Sequence, residues 1–437
     1  MNVICAYTVN LDEVCNVQAQ DLSPLLPPGL SSKEMEVELK GSIARMEDLI
    51  SSLLFCMRAG SGAEILIESP ALASQIKEAF SCKSRLGGNA GIMANVLAHL
   101  GANPTLNAPA LGPSLAAMLH PGVRIPFSGA LAEPRRVAEE MQDSAEPVHF
   151  VFQFKRGMEM AIGQDRFTVP QDNRFIASYD PINTSLKSSR DFDSYCQENI
   201  SQYAGALVSG FHLVPLQKYR EIFGEKMDQL RSWKQSNPNL FIHLELGSFQ
   251  SPQIMSHLLN LMHKVPIDSL GMNEDELRAA AGLLNVSTAM TPPGSLQESI
   301  LAADRLQDKT GIFRVAIHTR DYILSIMKEG RISAQDELSA LQNGADAAAS
   351  LAAYGSIGAA PPGQFNERGL LAAAELRRQG ADCQGRGAML HSDGRIISLA
   401  PARQASQPLI TVGLGDTATA SIFFREVGTI KGNFIPA

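Results

Sequence analysis

The stretch Pro408-Leu409-Ile410-Thr411-Val412-Gly413-Leu414-Gly415-Asp416, running on to Glu426, decides how this chain is read. An apolar run stops at two glycines, an acid follows, and a helix-capable segment begins. The pattern predicts a strand over 409–412, a tight turn and a helix N-terminus. Glycine lets a backbone approach a ligand closely. The free N–H groups of a helix's first turn favour negative charge. Asp416 lies at the mouth of that anion site, where a carboxylate can take a proton from a hydroxyl while amides hold the charge that develops. Asp416 therefore reads as a base beside a phosphoryl-transfer site. Two other readings compete. The string GLGDTA fits a loose GxGxxG/A dinucleotide fingerprint, but that unit needs a second strand with an acid about 20 residues on, and the sequence stops near there. The plainer alternative is an Asp that caps a helix.

Upstream of this stretch, strands and helices alternate. Strands are expected near 206–209, 240–246, 269–272 and 312–318, with helices over 275–284, 294–306 and 333–353. That alternation predicts an α/β fold: a large α/β/α domain whose mostly parallel central sheet is covered by helices on both faces. Ligands of such sheets sit at the carboxyl ends of the strands. The first half reads differently. It has a β-type run at 3–9, a loop at 17–32, and a helix over 32–58 with an apolar stripe of Met35, Leu39, Ile43, Met46 and Ile50. A short strand follows at 63–68. A glycine-rich turn, Arg85 to Gly91, leads into a helix over 92–100, and a strand is expected at 103–109. Strand-like alternation returns at 149–154, then a β-rich stretch over 162–182 with a turn at 163–165. Residues 355–368 read as a Gly/Pro-rich loop, and 355–395 match no motif.

Three polar strand ends accompany Asp416. His243 and Glu245 share one face of their strand. Asn273 and Glu276 have capping-box spacing at a helix start; the alternative is a magnesium site, since Mg²⁺ keeps waters and bridges carboxylates to phosphates. His318 and Thr319, with Tyr322, follow the strand at 312–318. There is no Gly-Lys dipeptide, hence no Walker A loop. The net charge of −8 over 437 residues gives no basic footprint for nucleic acid. No apolar run reaches 18 residues, so no membrane helix is expected. The N-terminal MNVICAYTVNLDEV does not read as a signal peptide. The cysteines, Cys5, Cys15, Cys56, Cys82, Cys196 and Cys383, form no CxxC; most read as small core residues of a cytoplasmic protein.

Taken together, N-x-D after the first strand (Asn10, Asp12), GG-N-A opening a helix, N-x-x-E and a C-terminal G-x-G-D resemble the ribokinase-like sugar kinases. The HxE of His243 and Glu245, the string Asn173-Arg174-Phe175-Ile176, RLGGNAGIMAN over 85–95 and Ile317-His318-Thr319 narrow the resemblance to the ADP-dependent glucokinase and phosphofructokinase family. It spans Asn10 to Asp416. The composition departs from that family's hyperthermophilic character, being poor in Lys and Glu with 16 Met. The resemblance implies that Asp416 deprotonates the sugar hydroxyl, with the amides of Gly413, Leu414 and Gly415 as the anion hole. Glu276 with Asn273, assisted by Glu245, would position Mg²⁺. Asn10, Asp12, Gly87, Gly88 and Asn89 would hold sugar hydroxyls. Arg174, in the Asn173-Arg174 string, would touch the nucleotide phosphates, and His318, Thr319 and Tyr322 would lie near the nucleotide. The family fold adds a small β-rich lid. Here the lid is expected at about 11–26, 56–82 and 146–187, with the large domain at about 1–10, 27–55, 83–145 and 188–437.

The expected activity is transfer of the β-phosphoryl group of ADP to fructose 6-phosphate. A glucokinase or bifunctional enzyme is the alternative, and a non-catalytic nucleotide or sugar sensor the more distant one. The acceptor expectation rests on Lys155 and Arg156, which would meet a sugar phosphate; a solvated basic turn is the competing reading. Glu64 would suit glucose hydroxyls instead. The expected partners are these small molecules, with neither nucleic acid nor membrane, and the chain would be a monomer or a small homo-oligomer.

Overall fold

The computed structural model describes residues 1–18, 22, 37–141, 146–162, 165–286 and 295–430. A ten-stranded sheet forms the frame. Six strands run parallel, in the order Asn103–Leu106, Asn2–Ala6, Gly205–Val208, Phe241–Glu245, Ser269–Asn273 and Arg314–His318. Four antiparallel strands extend that edge: Tyr322–Lys328, Arg395–Pro401, Gly387–Ser392 and Asp382–Gln384. The parallel strands are short apolar runs because both of their faces are covered. Ile4, Ala6 and Val208 belong to one core, while Val3, Cys5 and Leu207 belong to the other. Helices such as Tyr219–Ser236 and Pro252–Met262 close the first face, and Asn89–His99 and Leu414–Ile430 close the second. This is the expected α/β/α arrangement.

A second, five-stranded sheet has the order Ala63–Leu66, Asn173–Tyr179, Val148–Phe154, Asn10–Asn16, Lys83–Gly87. The alternation in VHFVFQF sorts its two faces. Phe150, Phe152 and Phe154 join Phe175 in a buried cluster under the helices Met46–Ala59 and Pro70–Ala79. His149 and Val151 point the other way, to a cleft against the large sheet. The sequence reading assigned 27–55 and 83–145 to the large domain. Met46–Ala59 packs with the small sheet instead, and Lys83–Gly87 pairs antiparallel with Asn10–Asn16 inside it.

Two expected elements take another form. Of the helix expected over 32–58, the described residues form Met46–Ala59; Met35 lies outside the described residues, and Leu39 is exposed. Ile43 uses its backbone as an edge strand, donating to Leu66 O at 2.9 Å and accepting from Glu68 N at 3.0 Å. The strand over 409–412 does not form. The amides of Leu409 and Ile410 donate to Ala352 O at 2.7 and 3.3 Å, at the end of the helix Ala334–Tyr354, so this segment is a strap and not a sheet member. The stretch 355–395, unassigned in sequence, holds the helix Glu367–Arg378, the edge strand Asp382–Gln384 and its neighbour Gly387–Ser392. The turn at 163–165 falls on Gly163 and Gln164, outside the described residues. Of the cysteines, Cys15 and Cys82 form a disulfide within the small domain, and Cys383 is exposed; only Cys5, Cys56 and Cys196 are the free, buried residues expected. No helix is long and apolar enough to cross a membrane among the described residues.

Candidate active site

Asp416 sits in the first turn of the helix Leu414–Ile430 and lines both large cavities, of about 1030 and 880 Å³. The turn before it is possible because Gly413 takes φ 75°. Thr417 N donates to Gly413 O at 3.0 Å. The amides of Leu414, Gly415 and Asp416 precede that bond and have no intrahelical acceptor. A second helix, Asn89–His99, starts at the same point after Gly88 (φ 76°). Its Asn89 Nδ2 donates to Asp416 Oδ1 at 2.7 Å. Burial, with Glu245 and Asp12 nearby, pushes the Asp416 carboxyl up to about 6.

The first cavity lies against the small sheet. Register explains its lining: Asp12 pairs with Arg85 on one side and His149 on the other, so all three project from one face. Asn10, Glu64, Gly88, Asn89 and Arg174 share that cavity. Asn10 Nδ2 donates to Asp12 Oδ1 at 2.6 Å. Gly87 makes room for this pair, since a Cβ there would lie 2.2 Å from Asp12 Oδ1. Glu64 accepts from Ser178 Oγ at 2.7 Å. His149 is bonded to Asp180 at 2.8 Å. Burial disfavours the charged ring, but Asp180, Glu64 and Asp12 raise His149 to about 9. It presents a cation among carboxylates.

The second cavity lies at the carboxyl ends of the parallel strands. Glu245 is fully buried there, yet it is an ion. Burial alone would raise its pKa, but bonds from His243 and His318 hold it at about 2. Those bonds are 2.9 Å to His243 Nε2 and 2.7 Å to His318 Nε2, with Thr419 Oγ1 at 3.2 Å. His318 is in turn raised to about 9, because Glu245, Glu276 and Asp416 outweigh its burial. Glu276 closes a complete capping box: its carboxylate accepts from Asn273 N and Nδ2, both at 2.9 Å. Burial, then Glu245 and Asp416, push Glu276 up to about 7. Thr319 lines this cavity beside Arg320, Asn366 and Arg403.

Some expected site residues stand elsewhere. Lys155 and Arg156 are exposed beyond the end of their strand and line neither cavity. Asn173 lines neither cavity; its Nδ2 donates to Gly60 O and its Oδ1 accepts from Arg174 N, both at 2.9 Å. Tyr322 is buried in the main core, and only its backbone meets Thr319. The cations that do face the first cavity are Lys83, Arg85, His149 and Arg174. Lys83 and His149 carry no motif; only the strand pairing reveals them. His212 borders both cavities, and burial holds its pKa down to about 4.

Two helix N-termini converging on one carboxylate, between a cavity rich in polar side chains and a second one beside paired acids, suit transfer of an anionic group to a hydroxyl. Residues 1–425 match the conserved region of the ADP-specific phosphofructokinases and glucokinases. The chain belongs to that family. Among curated relatives, the ADP-dependent glucose/glucosamine kinase of Pyrococcus furiosus is 26% identical, with 97% of this chain and 94% of that protein covered. The ADP-specific phosphofructokinase of Pyrococcus abyssi is 25% identical, covering 99% and 98%. Among solved structures, a hypothetical ADP-dependent phosphofructokinase from Pyrococcus horikoshii superposes with a TM-score of 0.82 at 22% identity, over 99% of this chain and 98% of that one. An ADP-dependent kinase complexed with fructose 6-phosphate and ADPβS gives 0.78 at 22% identity, over 98% and 94%. Family sequence and fold therefore agree over nearly the whole length.

Proposed function

We propose that the protein transfers the β-phosphoryl group of ADP to a sugar hydroxyl, with fructose 6-phosphate as principal acceptor. The observation that carries this reading is Asp416, held by Asn89 where both cavities meet two helix N-termini. The sugar occupies the first cavity among Asn10, Asp12, Gly87, Gly88 and Asn89, and ADP the second, beside His318 and Thr319, with Arg174 reaching its phosphates. Asp416 accepts the hydroxyl proton as the oxygen attacks the β-phosphorus, and the bond to the AMP oxygen breaks. The free amides of Leu414 and Gly415, with the turn at Gly413, face the charge on the transferring group.

Kinases of this chemistry work with a divalent cation, Mg²⁺ in this reading, which neutralises charge on the phosphates. Among the described residues no cluster of three His, Cys, Asp or Glu side chains forms a direct cage. The donor set fits a cation held through water. Glu245 already receives bonds from two histidines and a threonine, and Glu276 from Asn273. The mutual repulsion of Glu245, Glu276 and Asp416 is the field that a dication would relieve.

The sugar phosphate is assigned to Lys83 and Arg85, which face the first cavity, in place of Lys155 and Arg156. One observation favours glucose as a second acceptor: Glu64 stands in the same cavity and is steadied by Ser178. Crossing ADP and ATP with fructose 6-phosphate and glucose tests the reading. ADP with fructose 6-phosphate should give the highest kcat/KM. Activity with ATP but none with ADP overturns it, and no turnover with any pair leaves a sensor.

A further inference from the structure

His243, Ser269 and Arg314 are register partners in three adjacent parallel strands, so they form one row across the sheet. All three are buried, and Ser269 and Arg314 line neither large cavity. Their side chains make a single line of contacts. Arg314 Nη1 donates to Ser269 Oγ at 3.0 Å, Ser269 Oγ lies 2.9 Å from His243 Nδ1, and His243 Nε2 lies 2.9 Å from Glu245 Oε2. The far end is anchored. Arg314 Nε meets Glu337 Oε1 at 2.8 Å and Glu426 Oε1 at 2.7 Å. The near end is cleared. A Cβ at Gly271 would lie 1.9 Å from Glu245 Oε2 and 2.6 Å from His243 Nε2, so only glycine leaves space for that bond.

Proton accounting gives this row a direction. A guanidinium only donates, so Ser269 Oγ accepts from Arg314. The hydroxyl has one proton of its own, and His243 Nδ1 is its remaining partner. A nitrogen that accepts carries no proton, so the ring proton sits on Nε2 and is given to Glu245. The opposite tautomer would set a lone pair against the carboxylate. We propose that Ser269 and Arg314 are positioning residues of the phosphoryl-transfer site: they hold His243 with Nδ1 on Ser269 and Nε2–H on Glu245, and that bond keeps the Glu245 carboxylate in place. Glu245 then keeps one oxygen for His243 and Thr419 and the other for His318. Three strands thereby set the orientation of a group at the edge of the nucleotide cavity, from a point that no substrate touches.

The inference rests on the reading that Glu245 serves phosphoryl transfer, so its test does not depend on turnover. Histidine ring ¹⁵N spectra of the full chain, assigned with His243→Gln, report which nitrogen carries the proton. The wild type should show His243 protonated on Nε2. Ser269→Ala should convert this signal to the other tautomer or a mixture, and lower kcat by about tenfold or more while the sugar KM stays within about threefold. Ser269→Thr keeps the hydroxyl and should retain the wild-type signal. A wild-type ring protonated on Nδ1 overturns the proposal, and this holds even where Ser269→Ala does not fold. A folded Ser269→Ala with an unchanged Nε2–H signal overturns it as well. Absence of kinase turnover in the wild type, with the tautomer as stated, would instead sink the functional reading.

Discussion

At the residue scale, Asp416 as the proposed base meets two opposed demands. It must be ionised to take a proton, yet it is placed where burial and neighbouring acids hold its pKa at about 6. The sign follows from linkage. The folded state binds this proton more tightly than the unfolded chain does, so the penalty builds as pH rises from about 4 to about 6 and stays constant above. Asp416→Asn should therefore lower kcat by at least about a hundredfold, yet raise Tm at pH 7.5. The Tm gain should shrink as pH falls below 6. Wild-type turnover in the folded mutant would remove Asp416 from its role. The wild-type kcat/KM should fall on the acid side near the same value, read in a pH–rate profile. Glu276 is a different case, because its capping box is real and its carboxylate also faces the cavity. Glu276→Ala should lose about 1 kcal/mol of stability and also need more Mg²⁺ for half-maximal rate. A loss of stability with an unchanged magnesium titration would make it a cap and nothing else.

At the scale of elements, the turn into Leu414–Ile430 was legible and its approach was not. Two glycines and an acid announce a helix start whatever precedes them. Leu409 to Val412 carry strand composition, but their amides are taken by a helix C-terminus, a long-range contact that periodicity does not encode. Tyr322–Lys328 was missed for a related reason: its residues are buried on both faces, so it shows no alternation. The glycines of the turn act separately. Gly413→Ala would place a side chain at φ 75°, which costs about 1–2 kcal/mol, and should appear chiefly as a lower Tm. A Cβ at Gly415 would lie 2.7 Å from His318 Cε1. His318 has little freedom to yield, being bonded to Glu245 at 2.7 Å. Gly415→Ala should thus cut kcat by about tenfold to a hundredfold and also lower Tm, because the clash has no cheap relief. If Tm falls and kcat does not, the ring is not held as described.

At the scale of the molecule, strand pairing within the small sheet would choose the acceptor in the proposed function. The motif residues Asn10, Asp12, Gly88 and Asn89 could be found in sequence because they fall in two short strings, N-x-D and GG-N. Lys83, Arg85, His149 and Arg174 acquire a common face only when four strands are set in register. Sequence reasoning instead favoured Lys155 and Arg156, adjacent basic residues just past a strand, which in the fold are exposed outside the cleft. The corrected set makes a divided prediction. A dianionic sugar needs the cations, whereas a neutral sugar needs acceptors for its hydroxyls, and Glu64 is the carboxylate placed to supply them. Lys83→Ala with Arg85→Ala should raise the KM for fructose 6-phosphate by about tenfold or more, and that for glucose by less than about threefold. Glu64→Ala should do the reverse, weakening glucose while leaving fructose 6-phosphate equal or better, because a repulsive charge is gone. Lys155→Ala with Arg156→Ala should leave both constants near wild type. A large and selective loss of fructose 6-phosphate in that last mutant would return the phosphate to the exposed turn. It would also mean that the cleft closes far enough on substrate to bring the strand end inside.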